Sequence, residues 1–281
     1  MKQSPDSLGL ASVDELSGHV WVQELPTGGE FRFQVAPSGL VTFGVADRRF
    51  DSVDSVPVQY RRAAQEINDQ IDRAALDAAT DDPSAVTFCG VAIWNEGIPY
   101  EWETTPAFVG SDVWTRPKET FLSPDVATAV FERLGLSALP AVKKELPVGH
   151  ADFTRFEDDA AFPASAWWRG AAAGVLIRDK SGGRVTAWRS ASRETHTEPE
   201  RWTATELADA YATVERIEQT MQTLRDSGEP VTVSSVRDRL VTDVAREAYA
   251  ELFPDGEFIV SVTAFESAVA ERVQQHQFTT E

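Results

Sequence analysis

The chain has 281 residues, 42% of them hydrophobic, enough for one large unit or a large and a small one, each with its own core. Its formal charge is -19, from 45 acidic against 26 basic residues, a balance that opposes general attraction to nucleic-acid phosphates. A single cysteine, Cys89, excludes an intrachain disulfide and a cysteine-built zinc cluster, and His19, His150, His196 and His276 show no ligand spacing. Residues 1 to about 17 are polar and turn-rich and read as a loose lead-in, without the basic start and apolar core of a signal peptide. No apolar run approaches the ~20 residues of a bilayer span, so a cytoplasmic chain with no membrane partner is expected.

Three runs, His19 to Glu24, Glu30 to Val35 and Leu40 to Val45, are separated by Pro-Thr-Gly-Gly and Pro-Ser-Gly and read as a meander of three strands. Tyr60, Ala64, Ile67, Ile71 and Ala74 then recur at helical spacing, which predicts a helix over 57–79 ended by Asp-Asp-Pro. Apolar runs at Val86 to Val91 and Phe108 to Trp114 flank a loop rich in Trp, Tyr and Pro, a strand, long loop and strand. Such a loop forms either one wall of a ligand pocket or the aromatic plug of a core hairpin. Ser123 and Pro124 supply a cap and first-turn proline for a helix whose buried face reads Val126, Val130 and Leu134, with Gly135 as its stop. Strands at Gly174 to Arg178 and Arg184 to Trp188 flank a turn at Lys180 to Gly183. Beyond about 196 the periodicity is helical, over Thr203 to Leu224, Val236 to Phe253 and Ala264 to Gln275. The chain therefore reads as α+β, with a mixed domain at 1–195 and a helical domain at 196–281.

Gly90, Pro99, Tyr100, Trp102, Pro106, Phe108, Gly110, Asp112 and Trp114 form a pattern similar to motifs III and IIIa of the RNA ligase branch of the covalent nucleotidyltransferases. Pro163, Ser165, Gly174, Val175, Leu176, Ile177 and Arg178 resemble that family's motif IV. The resemblance implies an adenylation-domain-like nucleotidyltransferase fold of antiparallel sheets with helices, followed by a small all-helical unit such as phage-type RNA ligases carry. It also implies a chemistry: a lysine attacks the α-phosphate of ATP, and the lysyl-adenylate is passed to a 5′-phosphate end with the help of a divalent metal.

Carried onto this chain residue by residue, the family's pocket falls on Glu24, Leu25, Gly28, Arg48, Val91, Ser111, Ala173, Arg178 and Thr186. Leu25 stands where the nucleophilic lysine belongs, Val91 and Ala173 where two glutamates belong, Thr186 at the lysine of the returning strand, and Ser111 at an aromatic. Arg48 serves only in a shifted register, since Ala46 takes the aligned place. No catalytic residue and no metal ligand remains in this set. Removing one member of a buried charge set strands its partner at a cost of ~3–5 kcal/mol, whereas replacing the whole set by packed apolar groups can be neutral. Joint replacement of two cations and two anions thus reads as adaptation to a neutral pocket.

Three functions stay open. The first is a ligase-like protein without lysyl-adenylate chemistry that binds a nucleotide or nucleic-acid end, or partners an active ligase. The second is an active ATP-dependent RNA or DNA end-joining ligase using ATP and Mg2+, with Lys118 or Lys180 as a displaced nucleophile. The third is a β-rich interaction module, because fold does not fix function. Trp94, Trp102, Trp167 and Trp168 read either as base-stacking surfaces or as core anchors, and Arg32, Arg48, Arg49, Arg169, Arg178 and Arg184 either as phosphate contacts or as a solvated face. Only five lysines, Lys2, Lys118, Lys143, Lys144 and Lys180, accompany the acidity, which resembles the proteins of salt-accumulating halophiles. In molar salt the screening length falls to ~3 Å, so net charge says little about short-range contacts.

Overall fold

The computed structural model describes residues 1–190 and 202–280, with side chains as far as residue 276. The boundary expected at 195/196 and His196 lie outside the described residues. The strands are β1 (Leu8–Gly9), β2 (His19–Leu25), β3 (Gly28–Val35), β4 (Val41–Val45), β5 (Arg48–Phe50), β6 (Val86–Ile93), β7 (Phe108–Thr115), β8 (Thr120–Phe121), β9 (Ala141–Pro147), β10 (Gly174–Asp179) and β11 (Arg184–Trp188). The helices are α1 (Val58–Gln70), α2 (Arg73–Asp77), α3 (Pro124–Arg133), α4 (Ala204–Tyr211), α5 (Val214–Asp226), α6 (Val233–Glu247), α7 (Tyr249–Leu252) and α8 (Val262–Thr280). The architecture is α+β with antiparallel sheets. Two compact units divide the chain, one of Met1–Val56 and Ala63–Glu194, the other of Pro57–Arg62 and Thr195–Glu281. Among the described residues no helix is long and apolar enough to cross a membrane.

The first unit holds a six-stranded sheet in the order β5-β4-β3-β6-β7-β8 and a five-stranded sheet in the order β1-β11-β10-β2-β9. The expected three-strand meander is therefore corrected: β3 and β4 pair, but β2 belongs to the other sheet. Pro26 offers no N–H for a tight hairpin, and the Thr27 N–H and hydroxyl instead bond Tyr100 Oη at 2.9 Å and the Trp94 carbonyl at 2.7 Å, turning the chain from one sheet into the next. Gly28 completes the crossing at φ +149°, where an added Cβ would meet the Ala92 carbonyl oxygen at 2.1 Å.

One face of the six-stranded sheet is a phenylalanine layer. Phe31 stacks on Phe43 at 5.5 Å, Phe33 on Phe88 at 4.7 Å, and Phe131 of α3 meets Phe88 edge-on at 5.9 Å. Helix α3 buries Pro124, Ala127 and Phe131, with Leu134 just beyond it, whereas Val126 is 44% exposed. The expected Val126 face is thus wrong by about a third of a turn, because the large aromatic ring, not the β-branched pair, takes the core. The predicted helix 57–79 is two helices, and 203–224 is likewise broken at Ala212–Thr213, where the Thr213 hydroxyl accepts the Arg216 N–H and starts a new helix. The lead-in carries structure of its own: β1 pairs in parallel with β11, Leu8 opposite Val185. Strand β9, unforeseen in its Pro- and Leu-rich surroundings, pairs with β2 as an edge strand.

The second unit is helical around Leu207, Ile217, Leu240, Val244, Phe265 and Val269, and Val58 from the start of α1 joins that core. Arg61 and Arg62 pair with Glu266 at 2.8 Å and Asp243 at 3.4 Å. A capping box closes α4, Thr203 accepting the Glu206 N–H and Glu206 accepting the Thr203 N–H.

Candidate functional site

Alternation along β2 sends Glu24 and Leu25 to opposite faces. Leu25 packs with Ile93, Ile98, Tyr100, Val109, Leu139, Trp167, Ala173 and Leu176, and Val91 is half-buried against the same cluster. Three of the positions matched to charged catalytic residues, 25, 91 and 173, are therefore brought together, and they meet as an apolar cluster. The fourth, Thr186, stands opposite Leu176 with its hydroxyl 3.5 Å from the Leu8 carbonyl. Arg48 is not brought to this cluster: it lies on edge strand β5 over the Phe50 ring at 5.0 Å. The two-residue turn Ala46–Asp47, with Ala46 at φ +47°, sets the β4–β5 pairing, with Val45 opposite Arg48.

The aromatics of the long loop act as anchors. Tyr100 meets Trp102 and Trp167 edge-on at 5.4 and 6.5 Å, Trp94 Nε1 donates to Glu96 at 2.7 Å, and Trp168 Nε1 donates to the Ala171 carbonyl. Burial pushes the Tyr100 hydroxyl up to about 12, so it remains a hydrogen-bonding group. On the far face of β2, Glu24 accepts from Ser165 Oγ at 2.5 Å and from the Ala166 N–H at 2.7 Å. Burial raises its pKa, and these two bonds pull it back. Both carboxylate oxygens are occupied in holding the loop before β10.

Real buried charge sits elsewhere. Between Cys89 and Gly90 the β6–β7 ladder carries a bulge whose extra residue is Ser111. The bulge changes the parity of β7 and aims Asp112 away from the phenylalanine layer. Asp112 then receives Arg178 Nη1 at 2.8 Å and both terminal nitrogens of Arg184 at 3.0 and 3.1 Å. Arg178 also donates to the Ser111 carbonyl at 2.7 Å and to Gln23 Oε1 at 2.7 Å, and Gln23 donates to the Leu139 carbonyl. One carboxylate on the six-stranded sheet thus holds two guanidiniums of the five-stranded sheet. Burial opposes the charge on Asp112, but Arg184 and Arg178 outweigh it and hold the carboxyl below the usual range; burial draws Arg178 down to about 10. Sequence reasoning names Arg178 and Arg184 singly and misses the triad, whose carboxylate lies 66 and 72 residues from its two arginines.

On the same face as Asp112, Arg32 stands opposite Cys89 and Gly44. It is 3% exposed, 3.1 Å from Glu30, and donates to the carbonyls of Lys2 and Ala46. Cys89 is fully buried and its thiol is pushed up to about 12 by burial, a core group and not a nucleophile. Lys180 pairs with Glu145 at 2.7 Å and Asp125 at 3.8 Å; Lys118 is exposed in a turn after β7. Among the described residues no group of three or more His, Cys, Asp and Glu side chains stands ready for a metal. With Glu24 and Asp112 saturated by protein donors and positions 91 and 173 apolar, the residues present do not fit the divalent ion that lysyl-adenylate chemistry uses.

No protein-family model matches the chain, and no curated protein matches it in sequence. Solved structures do. A variant of the Naegleria gruberi RNA ligase with AMP and Mn superposes with a TM-score of 0.51 at 14% identity, covering 69% of this chain and 58% of that one. Another variant of that ligase, with ATP and Mn, gives 0.51 at 12% identity over 69% and 57%. An archaeal ATP-dependent RNA ligase covers 98% of this chain at 14% identity with a TM-score of 0.49. The chain spans 65% of that archaeal ligase. At these identities the likeness establishes the fold, an RNA ligase-like nucleotidyltransferase fold.

Proposed function

We propose that the first unit binds a nucleotide or a phosphorylated nucleic-acid end without forming a lysyl-adenylate. The observation that carries this reading is the meeting of buried Leu25 and Ala173 with half-buried Val91 in one apolar cluster. Leu25 has no lone pair with which to attack a phosphate, and among the described residues no cluster of three or more His, Cys, Asp and Glu side chains stands ready to hold a metal. Guanidiniums remain on the facing surfaces of the two sheets, and they suit phosphate oxygens. The restored nucleophile is itself a test: a lysine at position 25 enters an apolar cluster without partners, where its charge is disfavoured.

The full chain and a Leu25→Lys variant would be incubated with α-labelled ATP and magnesium in molar KCl, the setting we propose for an acidic, lysine-poor chain. Denaturing electrophoresis then reads covalent label, and equilibrium binding of labelled ATP or a 5′-phosphorylated oligonucleotide reads occupancy. Expected are reversible binding and no covalent label in either protein. Label retained on the unaltered chain and mapped to Lys118 or Lys180 would replace this reading with that of an active ligase whose nucleophile is displaced.

A further inference from the structure

Segment Met1–Gly9 lies along the facing sides of the two sheets of the first unit. Met1 Sδ stands 2.7 Å from where a Cβ on Gly44 would sit, and Gln3 donates to Asp47 at 2.6 Å. The Lys2 carbonyl accepts from Arg32 Nη1 at 3.2 Å, and the Ser4 hydroxyl lies beside the Cys89 thiol. Ser7 Oγ accepts from Arg184 Nε at 3.1 Å, and Leu8 and Gly9 pair with Val185 and Thr186 of β11. The segment therefore runs from the β4–β5 end of one sheet, past Arg32 and the triad, to an edge of the other.

Two features make this more than a tail. The side chains of Arg32, Arg184 and Thr186 each donate to an oxygen of the segment: the Lys2 carbonyl, Ser7 Oγ and the Leu8 carbonyl. These are the positions that phosphate oxygens would take against the same donors. Arg32 and Asp112, the carboxylate that holds Arg184, flank Cys89 on neighbouring strands, two strand spacings or about 10 Å apart, so one ligand reaches both arginines only if it carries more than one phosphate. The segment is also weakly secured. Lys2, Gln3 and residues 6–9 are exposed, and it is tied mainly by polar contacts and a two-residue strand, the marks of a low-stability element.

We infer that Met1–Gly9 is a built-in strap over an anion-accepting surface formed by Arg32, Arg184 and Thr186, and that a phosphate-bearing ligand must displace it. The inference rests on the binding function proposed above and adds its control: the strap's oxygens compete with the ligand's, lowering apparent affinity by the fraction of chains in which the strap is open.

A Ser4→Cys variant of the full chain places a second thiol beside Cys89, so that oxidation pins the strap to β6 and reduction frees it. A fluorescent 5′-phosphorylated oligonucleotide is titrated into both forms, with inorganic tripolyphosphate as competitor. The expected result is at least tenfold weaker binding by the oxidised form, restored by reductant, and tripolyphosphate displacing the probe from the reduced form. In the unaltered chain, amide exchange across Met1–Gly9 should speed up as ligand saturates. Equal affinity of the two forms, or strap amides that slow on ligand addition, would overturn the strap while leaving the binding function standing. No binding by any form would overturn both, and if the buried Cys89 thiol does not pair, the amide-exchange outcome in the unaltered chain decides.

Discussion

Replacing Asp112 by alanine removes the carboxylate that bonds both Arg178 and Arg184 at 2.8 to 3.1 Å. Arg178 has only 5% of its side chain exposed and Arg184 10%, so water cannot take over Asp112's role. Breaking a buried pair by deleting one partner costs ~3–5 kcal/mol, and two stranded cations place this site at the upper end. An exposed pair such as Arg272–Asp209, with 34% and 54% of its side chains exposed, is worth ~0.2–1 kcal/mol, and Asp209→Ala serves as the internal control. Urea unfolding at fixed KCl, followed by tryptophan fluorescence, leaves ionic screening unchanged while reading the difference. Adding Arg178→Met to Asp112→Ala should recover ~1 kcal/mol or more, since one stranded charge disappears. The sign of the pH dependence follows from the lowered Asp112 pKa: its contribution is present above the ordinary carboxylate value of ~3.9 and is lost as pH falls below it toward the folded-state value. An Asp112→Ala loss under ~1 kcal/mol, or a double variant as unstable as the sum of the singles, would refute this account of what joins the two sheets.

Two further outcomes follow from packing and charge. Gly110→Ala would drive a Cβ to 2.4 Å from the Phe131 ring, an overpacking that should cost ~1–3 kcal/mol, and Phe131→Leu in the same chain should recover part of it; unchanged stability of the single variant would show that α3 yields freely. The charge of -19 predicts self-repulsion that salt relieves. Raising KCl from ~0.1 to ~1 M shortens the screening length from ~10 to ~3 Å, and thermal unfolding should move up by roughly 5 °C or more, ~3 kcal/mol for a chain this size. A midpoint that falls over that range would disprove the repulsion argument.

What could be read from the sequence was whatever depends on neighbours. The apolar runs of β6 and β7 and the turn between β10 and β11 declare themselves within a dozen residues. Strand β9 does not, because Lys143, Lys144 and Glu145 leave an edge strand too little apolar surface to show a period of two. Residues 1–9 read as loose in the sequence because they are held through backbone and polar contacts, which leave no hydrophobic pattern. Positions 25, 91 and 173 were legible as a set through the resemblance. The charge that is retained, Asp112 with its two arginines, was hidden because its orientation depends on the Ser111 bulge, and one extra residue on a strand has no compositional signature.

The Val58, Arg61 and Glu266 contacts give the helical unit an unusual history on the ribosome. Its first piece is synthesised as residues 57–62, and the glutamate that pairs with Arg61 emerges 205 residues later. In between, the larger part of the sheet-bearing unit, from Ala63 onward, must leave the exit tunnel. Closing so long a loop is entropically slow but only logarithmically costly, so vectorial synthesis leaves the opening of α1 waiting for its core until the chain is nearly complete. A fragment cut at the interdomain segment would therefore lack a part of its own interior.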